Sequence, residues 1–195
     1  MSTFVTLGPE GTDHEHTLRA YLRRQGLADA RVLLVDDMLE GLELVRSRPD
    51  HYLLQNSLHP DALEVTERHW DQVRVLDCFI APTKPMAIIR RADAPAPRHL
   101  AVMPATVGYL RPGEWPNLIT VSAKPHIGTG LLSGMYEAGL THLSWAVEHP
   151  DELVLIEQIG PVDTVWIVYG TSEVRRGLLT GMLRPDLYCG AAVRA

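Results

Sequence analysis

Short apolar runs alternate with helical patterns through the first third of the chain. Three runs have the composition of β-strands, at residues 4–7, 31–35 and 52–55. Apolar residues recur at helical spacing after each of the first two runs. Thr12 with Glu15 forms a capping-box pattern for the first helix, and Asp36 or Asp37 can cap the second. Strands that alternate with helices in this way predict parallel βαβ units, and therefore an α/β fold.

A second series of this kind follows. Two extended apolar segments, residues 73–80 and 86–90, are separated by Pro82 and Pro85, and a surface loop is expected at 92–98. Further strands are predicted at residues 101–103, 118–121, 142–147, 153–159 and 164–169. The segment Gly128-Thr129-Gly130 is expected to open a helix, and residues 178–183 to form a short closing helix. The pattern thus predicts a second α/β unit.

Composition limits the partners. Of the 195 residues 46% are hydrophobic, and the formal net charge is −6. Nucleic acids and anionic membranes bind clustered Lys and Arg, so neither is an expected partner. No apolar run is long enough to cross a bilayer, and the first ten residues lack a signal-peptide pattern. Cys78 and Cys189 have no CxxC spacing, which indicates a reduced, cytoplasmic protein.

Three strand ends run into polar or glycine-rich segments, at residues 8–12, 56–57 and 128–130. In open α/β sheets, ligands bind beyond the carboxyl ends of the strands. Helix N-termini at such ends present free N–H groups and positive partial charge, which suit a small carboxylate. Two interpretations remain open: the three ends face one ligand cleft, or each is an ordinary cap or turn.

Metal and nucleotide sites have little support. His14 and His16 are two residues apart on a predicted helix, so their side chains point about 200° apart and cannot easily share one ion. The other histidines show no HExxH spacing, and neither a GxGxxG motif nor a P-loop motif occurs. We therefore expect no metal and no cofactor.

Several segments resemble the prephenate dehydratase family. Leu7-Gly8-Pro9-Glu10-Gly11-Thr12 after the first strand is similar to the opening of these enzymes. Gln55-Asn56-Ser57 stands where the family has Glu-Asn-Ser, and Thr129 matches a Thr of its Ser-Thr segment. Thr164-Val165-Trp166 stands where the family has Thr-Arg-Phe, whose Thr is catalytic. The resemblance covers about residues 4–170.

This resemblance implies an α/β fold with two lobes, the type II periplasmic-binding-protein fold of prephenate dehydratase. Residues 1–82 plus 161–195 would form the first lobe, and residues 83–160 the second. A small cyclic acid would bind between the lobes. A homodimer is also expected, because related domains pair.

The sequence also departs from the family. Val165 replaces the Arg, and Val102-Met103-Pro104-Ala105 replaces a Ser-His-Pro-Gln segment. Tyr109 falls near a substrate-binding Gln, and Gln55 replaces the Glu. The second-lobe face is therefore expected to be more apolar. A pocket that hydrogen-bonds a carboxylate does not normally lose its polar groups, because the buried charge would then be unpaired, so the ligand is not expected to bind as prephenate does in the family. Short prephenate decarboxylases of antibiotic pathways such as bacilysin also lack a regulatory domain and lose the Thr-Arg-Phe motif, but this chain differs from them by keeping Asn56 and Thr164. The chain also resembles, in general character, dehydratase-like proteins of tropodithietic acid biosynthesis, and these resemblances imply a role in secondary metabolism.

The site implied by the resemblance combines both lobes. Thr164 and Asn56 would be catalytic, and six residues would bind the substrate: Gly11, Thr12, Gln55, Ser57, Tyr109 and Thr129. Lys84, Lys124 and His126 are further polar candidates, although such side chains are more often solvated. Two functions stay open: a lyase acting on prephenate or a related cyclic acid, by dehydration or by decarboxylation, and a binding module without turnover.

Overall fold

The computed structural model describes residues 2–172, and these contain ten strands and five α-helices. The strands are β1 Thr3–Leu7, β2 Arg31–Val35, β3 His51–Asn56, β4 Arg74–Pro82, β5 Met86–Arg91, β6 Leu100–Val102, β7 Leu118–Thr120, β8 Ala138–His142, β9 Leu153–Gly160 and β10 Asp163–Gly170. The helices are α1 Asp13–Arg24, α2 Met38–Arg46, α3 Asp61–Leu63, α4 Lys124–Leu132 and α5 Ser144–Glu148. A π-helical turn, Glu64–Arg68, continues α3, and a 3₁₀ helix spans Pro104–Tyr109.

The strands form two mixed five-stranded sheets. The first has the order β2-β1-β3-β10-β4, in which β1 pairs parallel with β2 and β3, and β10 pairs antiparallel with β3 and β4. The second has the order β7-β6-β8-β5-β9, in which β6 pairs parallel with β7 and β8, and β5 pairs antiparallel with β8 and β9. Two such sheets flanked by helices confirm the predicted α/β class.

Helices α1 and α2 start on capped turns and cover opposite faces of the first sheet. The Thr12 hydroxyl accepts from the Glu15 N–H at 3.3 Å, and the Asp37 carboxylate accepts from the Leu39 N–H at 2.7 Å, which confirms both predicted helix starts. Buried residues of α1 pack in a cluster with Phe4, whereas those of α2 pack in a cluster with Val5. Because successive residues of a strand point to opposite faces, the sheet carries a core on each side.

Two short segments connect the sheets, residues 83–85 between β4 and β5 and residues 161–162 between β9 and β10. They lie side by side. The Thr83 N–H donates to the Val162 carbonyl at 2.9 Å, and the Val162 N–H donates to the Thr83 hydroxyl at 3.0 Å. This pair of hydrogen bonds holds the two connecting segments together at the place where the chain passes from one lobe to the other.

Helix α4 begins at Lys124, not at Gly128 as predicted. Pro125 lies in its first turn, where a proline is well tolerated because the missing N–H would have no intrahelical partner there. The Gly-Thr-Gly segment therefore lies inside the helix. Thr129, expected at a helix start facing the ligand, is exposed there, and its hydroxyl donates to the His126 carbonyl at 3.1 Å.

The strand predicted at residues 142–147 is also wrong. The strand in this region, β8, ends at His142, and residues 144–148 form α5. β8 is buried along its whole length, and Gly139 lets helix α4 pack directly on it: a Cβ there would lie 2.3 Å from the Ile127 side chain. Small residues thus fill buried positions of β8, and because such residues have low strand propensity, the composition of this segment does not indicate a strand. The closing helix predicted at 178–183 lies outside the described residues.

Candidate functional site

A cleft of about 140 Å³ lies between the two sheets. The first lobe contributes the end of β1, the start of α1, the segment after β3 and the start of β10, through Leu7, Gly8, Thr12, Asp13, His14, Asn56, Leu58, His59 and Thr164. The connecting segment contributes Thr83. The second lobe contributes Met86, Met103, Ala105, Thr106, Tyr109, Ser122, Ala123, Lys124 and Pro125. The cleft therefore lies at the carboxyl ends of parallel strands, where α/β sheets bind ligands.

Asn56 and Thr164 contact each other in this cleft. Asn56 ends β3, and Thr164 is the second residue of the antiparallel neighbour β10. Their side chains meet, and the Asn56 amide donates to the Thr164 hydroxyl at 2.9 Å. The Asn56 side-chain oxygen accepts from the Leu58 N–H at 2.9 Å. The Thr164 hydroxyl lies 3.5 Å from the Ala81 carbonyl, to which it donates. Both side chains are thus held by defined hydrogen bonds beside the ligand space.

His14 contacts this pair through the backbone of Asn56. Its Nε2 accepts from the Asn56 backbone N–H at 3.4 Å, and its ring packs edge-on against Trp166 with 5.1 Å between ring centroids. Burial, with a smaller contribution from the neighbouring His59, lowers the pKa of His14 to about 3. His14 is therefore neutral at physiological pH and acts as a hydrogen-bond acceptor.

A buried ion pair joins the two lobes across the cleft. Lys124 Nζ, at the start of α4, lies 2.5 Å from Asp13 Oδ2, at the start of α1, and His142 Nε2 lies 3.4 Å from the same oxygen. The other carboxylate oxygen of Asp13 accepts from the Lys84 backbone N–H at 2.7 Å. One carboxylate of the first lobe thus binds the connecting segment and two residues of the second lobe.

The charges in this cluster are set by its burial. Burial raises the pKa of Asp13, but the hydrogen bond with His142 and the charge of Lys124 outweigh it and hold the pKa well below its usual range. Burial lowers the pKa of His142 despite the nearby carboxylate. The cluster therefore consists of a carboxylate, an ammonium and a neutral imidazole, and its net charge is zero.

Lys124 is the site residue that the sequence patterns underrated. The residue is only 6% exposed, and its ammonium also contacts the Met86 sulfur at 3.4 Å. The Thr141 hydroxyl donates to the Lys124 carbonyl at 2.7 Å and fixes the backbone. The sequence patterns gave no signal for this role, because they place the start of the helix at Gly128, and only the structure shows that Lys124 lies in the first turn of α4.

The predicted site residues are distributed unevenly. Thr12 and Tyr109 line the cleft together with Asn56 and Thr164, whereas four predicted residues do not: Gly11, Gln55, Ser57 and Thr129. The Gly11 N–H, expected to hold an anion, donates to the Glu15 carboxylate at 2.7 Å. The Ser57 N–H donates to the Val165 carbonyl at 2.9 Å. Gln55 is fully buried, and its amide atoms have no hydrogen-bond partner among the described residues.

Two of the other polar candidates, Lys84 and His126, lie outside the cleft lining. Lys84 donates from its ammonium to the Gly11 carbonyl at 2.8 Å, and His126 is exposed, with Ser122 at 3.2 Å. Met103 and Ala105 give the second-lobe wall apolar surface, while Lys124 adds a cation to it. Within residues 2–172, no group of three or more His, Cys, Asp or Glu side chains is placed to hold a metal ion, and no helix is long and apolar enough to cross a membrane.

No protein-family model matches the sequence, and no curated protein matches it. Solved structures with the same fold include a prephenate dehydratase from Arthrobacter aurescens in complex with L-Phe, with a TM-score of 0.63 and 19% identity. That match covers 88% of this chain and 61% of the enzyme, so the chain spans about three-fifths of that relative. A prephenate dehydratase from Staphylococcus aureus has a TM-score of 0.60 and 13% identity, covering 89% of this chain and 67% of that one.

A periplasmic domain has a similar fold. The BvgS periplasmic VFT2 domain from Bordetella pertussis has a TM-score of 0.52 and 16% identity, covering 87% of this chain and 80% of that one. At such identities the similarity defines the fold. The chain has the two-lobed α/β fold shared by prephenate dehydratase catalytic domains and periplasmic binding domains, as the sequence predicted.

Proposed function

We propose that the cleft binds a small cyclic carboxylic acid and that the protein is a prephenate dehydratase-like lyase. The observation that carries this proposal is the hydrogen-bonded pair of Asn56 and Thr164 inside a cleft that also contains a buried ammonium, Lys124. The ammonium suits the acid, and the hydroxyl suits a leaving ring hydroxyl. We further propose a cytoplasmic enzyme of secondary metabolism, such as antibiotic or tropodithietic acid biosynthesis.

The chemistry requires positioning and a proton. In prephenate, loss of the ring carboxylate as CO₂ leaves an electron pair that forms the new ring double bond, while the ring hydroxyl departs and takes a proton to leave as water. Aromatisation drives the step, and the protein must hold the ring and deliver the proton. The pKa of a threonine hydroxyl is too high for a free acid, so Thr164 would relay the proton within its network with Asn56.

The first experiment is incubation of the purified protein with prephenate, followed by detection of phenylpyruvate or of a decarboxylated dienol. Thr164→Val keeps the shape of the side chain and removes the hydroxyl. If Thr164 relays the proton, turnover should fall by about 10²–10⁴-fold, the usual contribution of general acid–base catalysis. Loss of the two hydrogen bonds of this hydroxyl should cost about 1–3 kcal/mol of stability, so the variant should fold.

Thr66→Val is the matched control for this variant. The Thr66 hydroxyl bonds the Tyr169 hydroxyl at 2.7 Å, outside the cleft lining. The same chemical change there should reduce stability by a similar amount and leave turnover unchanged. A Thr164→Val protein with full activity on its substrate would remove Thr164 from the mechanism.

A second candidate function is a binding module without turnover. The apolar second-lobe wall at Met103 and Ala105 favours it, because the family's polar groups are missing there. In that case Thr164→Val should weaken ligand binding by no more than about 1–3 kcal/mol, and no product should form from prephenate. The incubation with prephenate has a third possible outcome, in which the protein is a decarboxylase of the bacilysin type. Formation of the decarboxylated dienol in place of phenylpyruvate distinguishes this activity from dehydration.

A further inference from the structure

Lys124 is the only lysine or arginine side chain among residues 2–172 that lines the cleft. The Lys124 ammonium is not free to bind a ligand, because Asp13 Oδ2 lies 2.5 Å from it. Both side chains are at least nine-tenths buried. The histidines that face this pair are His142 on β8 and His14 on α1, and burial lowers the pKa of each. The cleft thus has a cation that is neutralised by a carboxylate of the protein itself.

We infer that Asp13 is an internal competitor for the carboxylate-binding position of Lys124, and that an acidic ligand binds by replacing Asp13 at this ammonium. The inference rests on the proposed function, in which the cleft takes a small acid. A ligand carboxylate beside the intact pair would add an uncompensated negative charge to a buried site, which is strongly unfavourable. Replacement of Asp13 gives the ligand carboxylate the position at the ammonium, while the displaced Asp13 carboxylate can keep its hydrogen bond from the Lys84 N–H.

Asp13 can give up Lys124 without losing all its partners. Its other oxygen accepts from the Lys84 N–H at 2.7 Å, and His142 Nε2 lies 3.4 Å from the oxygen that faces Lys124. Asp13 also lies in the first turn of α1, where the helix dipole favours a carboxylate. Because Asp13 and Lys124 belong to different lobes, the replacement also breaks a direct link across the cleft.

This arrangement makes a strong prediction about affinity. Benzoate, a cyclic carboxylate, serves as the probe, and benzamide is its neutral counterpart. Asp13→Asn keeps an acceptor of the same shape and removes the competing charge. It should bind benzoate roughly 10- to 1000-fold more tightly than the natural protein, the scale on which one nearby charge shifts an ionic equilibrium. The double variant Asp13→Asn with Lys124→Met should lose this gain, and benzamide binding should not change along the series.

Chemical rescue gives a second measurement. Asp13→Ala leaves the Lys124 ammonium buried without its counter-ion and should be destabilised. Added benzoate should raise its melting temperature more than that of the natural protein, whereas equal benzamide or chloride should not. An Asp13→Ala protein that folds only when benzoate is present would support the inference in the same way. Asp13→Asn that binds benzoate no better than the natural protein, or Asp13→Ala that benzoate does not stabilise, would overturn it.

The same experiments separate this inference from the proposed function. If Asp13→Asn binds benzoate more tightly than the natural protein and the double variant does not, but no form turns over prephenate, the role of Lys124 is supported and the lyase is refuted. Turnover of prephenate by a protein whose Asp13→Asn variant gains no affinity for benzoate would support the lyase and refute the competitor.

Discussion

At the scale of single residues, the polar groups of the cleft are paired with one another. Asn56 bonds Thr164, His14 accepts from the Asn56 backbone, and Lys124 bonds Asp13. A buried polar group without a partner costs about 1–3 kcal/mol, and a buried charge costs more. The pairing therefore explains how a cleft with this many polar groups is compatible with a stable fold.

His14 makes part of the stability depend on pH. Its pKa in the folded protein is about 3, whereas an unfolded histidine titrates near 6.5. Between these values the unfolded chain binds more protons than the native one, so the free energy of unfolding falls as pH falls. One such group can contribute up to about 1.4 kcal/mol per pH unit. We predict that His14→Gln, which keeps an acceptor for the Asn56 N–H, flattens the pH dependence between pH 6.5 and 4.

Urea unfolding at several pH values measures this slope. His16→Gln is the matched control, because His16 lies two residues further along α1 and is exposed. The control should retain the slope of the natural protein. Equal slopes in the natural protein and in His14→Gln would show that His14 takes up its proton without opposing the fold.

The sequence identified part of this site and missed the rest for a physical reason. Asn56 and Thr164 lie at strand ends and resemble family motifs, so they could be selected from local patterns. Asp13 resembles an ordinary acidic residue in the first turn of a helix. Its partner Lys124 lies in another lobe, and only the packing of the two sheets brings them together. Local patterns carry no information about such a contact.

At the scale of elements, hydrophobic periodicity gave the strands of the first lobe and both of its capped helices. It failed around α4 and α5, where packing between side chains and glycines decides the structure. A Cβ at Gly128 would lie 2.0 Å from the Trp145 ring, and a Cβ at Gly130 would lie 2.3 Å from the Tyr136 ring. The sequence pattern predicts a helix start at these glycines, but in the structure they make space for two aromatic rings.

This packing predicts an unusual response to Gly128→Ala. In the interior of a helix, alanine is normally more favourable than glycine by about 1 kcal/mol. Here the new methyl group meets the core of the Trp145 ring, so we expect a net destabilisation of about 1–3 kcal/mol, the usual cost of overpacking. Chemical denaturation measures the difference.

Gly108→Ala is the control for this prediction. Gly108 lies in the 3₁₀ helix, and a Cβ there would meet no atom within 4 Å. Its substitution should leave stability unchanged or slightly increased, because alanine restricts the unfolded chain. A Gly128→Ala protein as stable as Gly108→Ala would mean that Trp145 moves aside at no cost.

At the scale of the whole molecule, the two lobes are joined by residues 83–85 and 161–162 and by the ion pair between Asp13 and Lys124. The connecting segments hydrogen-bond to each other through Thr83 and Val162, so they hold the lobes at one end of the cleft. The ion pair lies inside the cleft, where a ligand can reach it. If an acidic ligand replaces Asp13 at Lys124, as inferred above, ligand binding and lobe contact depend on the same two side chains.

The outer edge of the first sheet leads to the last prediction. Within residues 2–172, β4 pairs on one side only, with β10. Ile80 on β4 is 73% exposed, and Val165, its partner in register on β10, is 42% exposed. An open strand edge with exposed apolar side chains favours association with another chain. We propose that two copies of the protein pair through this edge, so light scattering should give twice the 21.7 kDa of one chain.

Ile80→Lys tests the location of this interface. A lysine on an edge strand opposes strand association through its charge, so the variant should be monomeric with unchanged secondary structure. Leu155→Lys is the matched control, because Leu155 is 44% exposed on β9, the edge strand of the second sheet, and this variant should remain dimeric. Dissociation by Leu155→Lys alone would move the interface to the second sheet. A natural protein that scatters as a single chain at every concentration would refute the dimer.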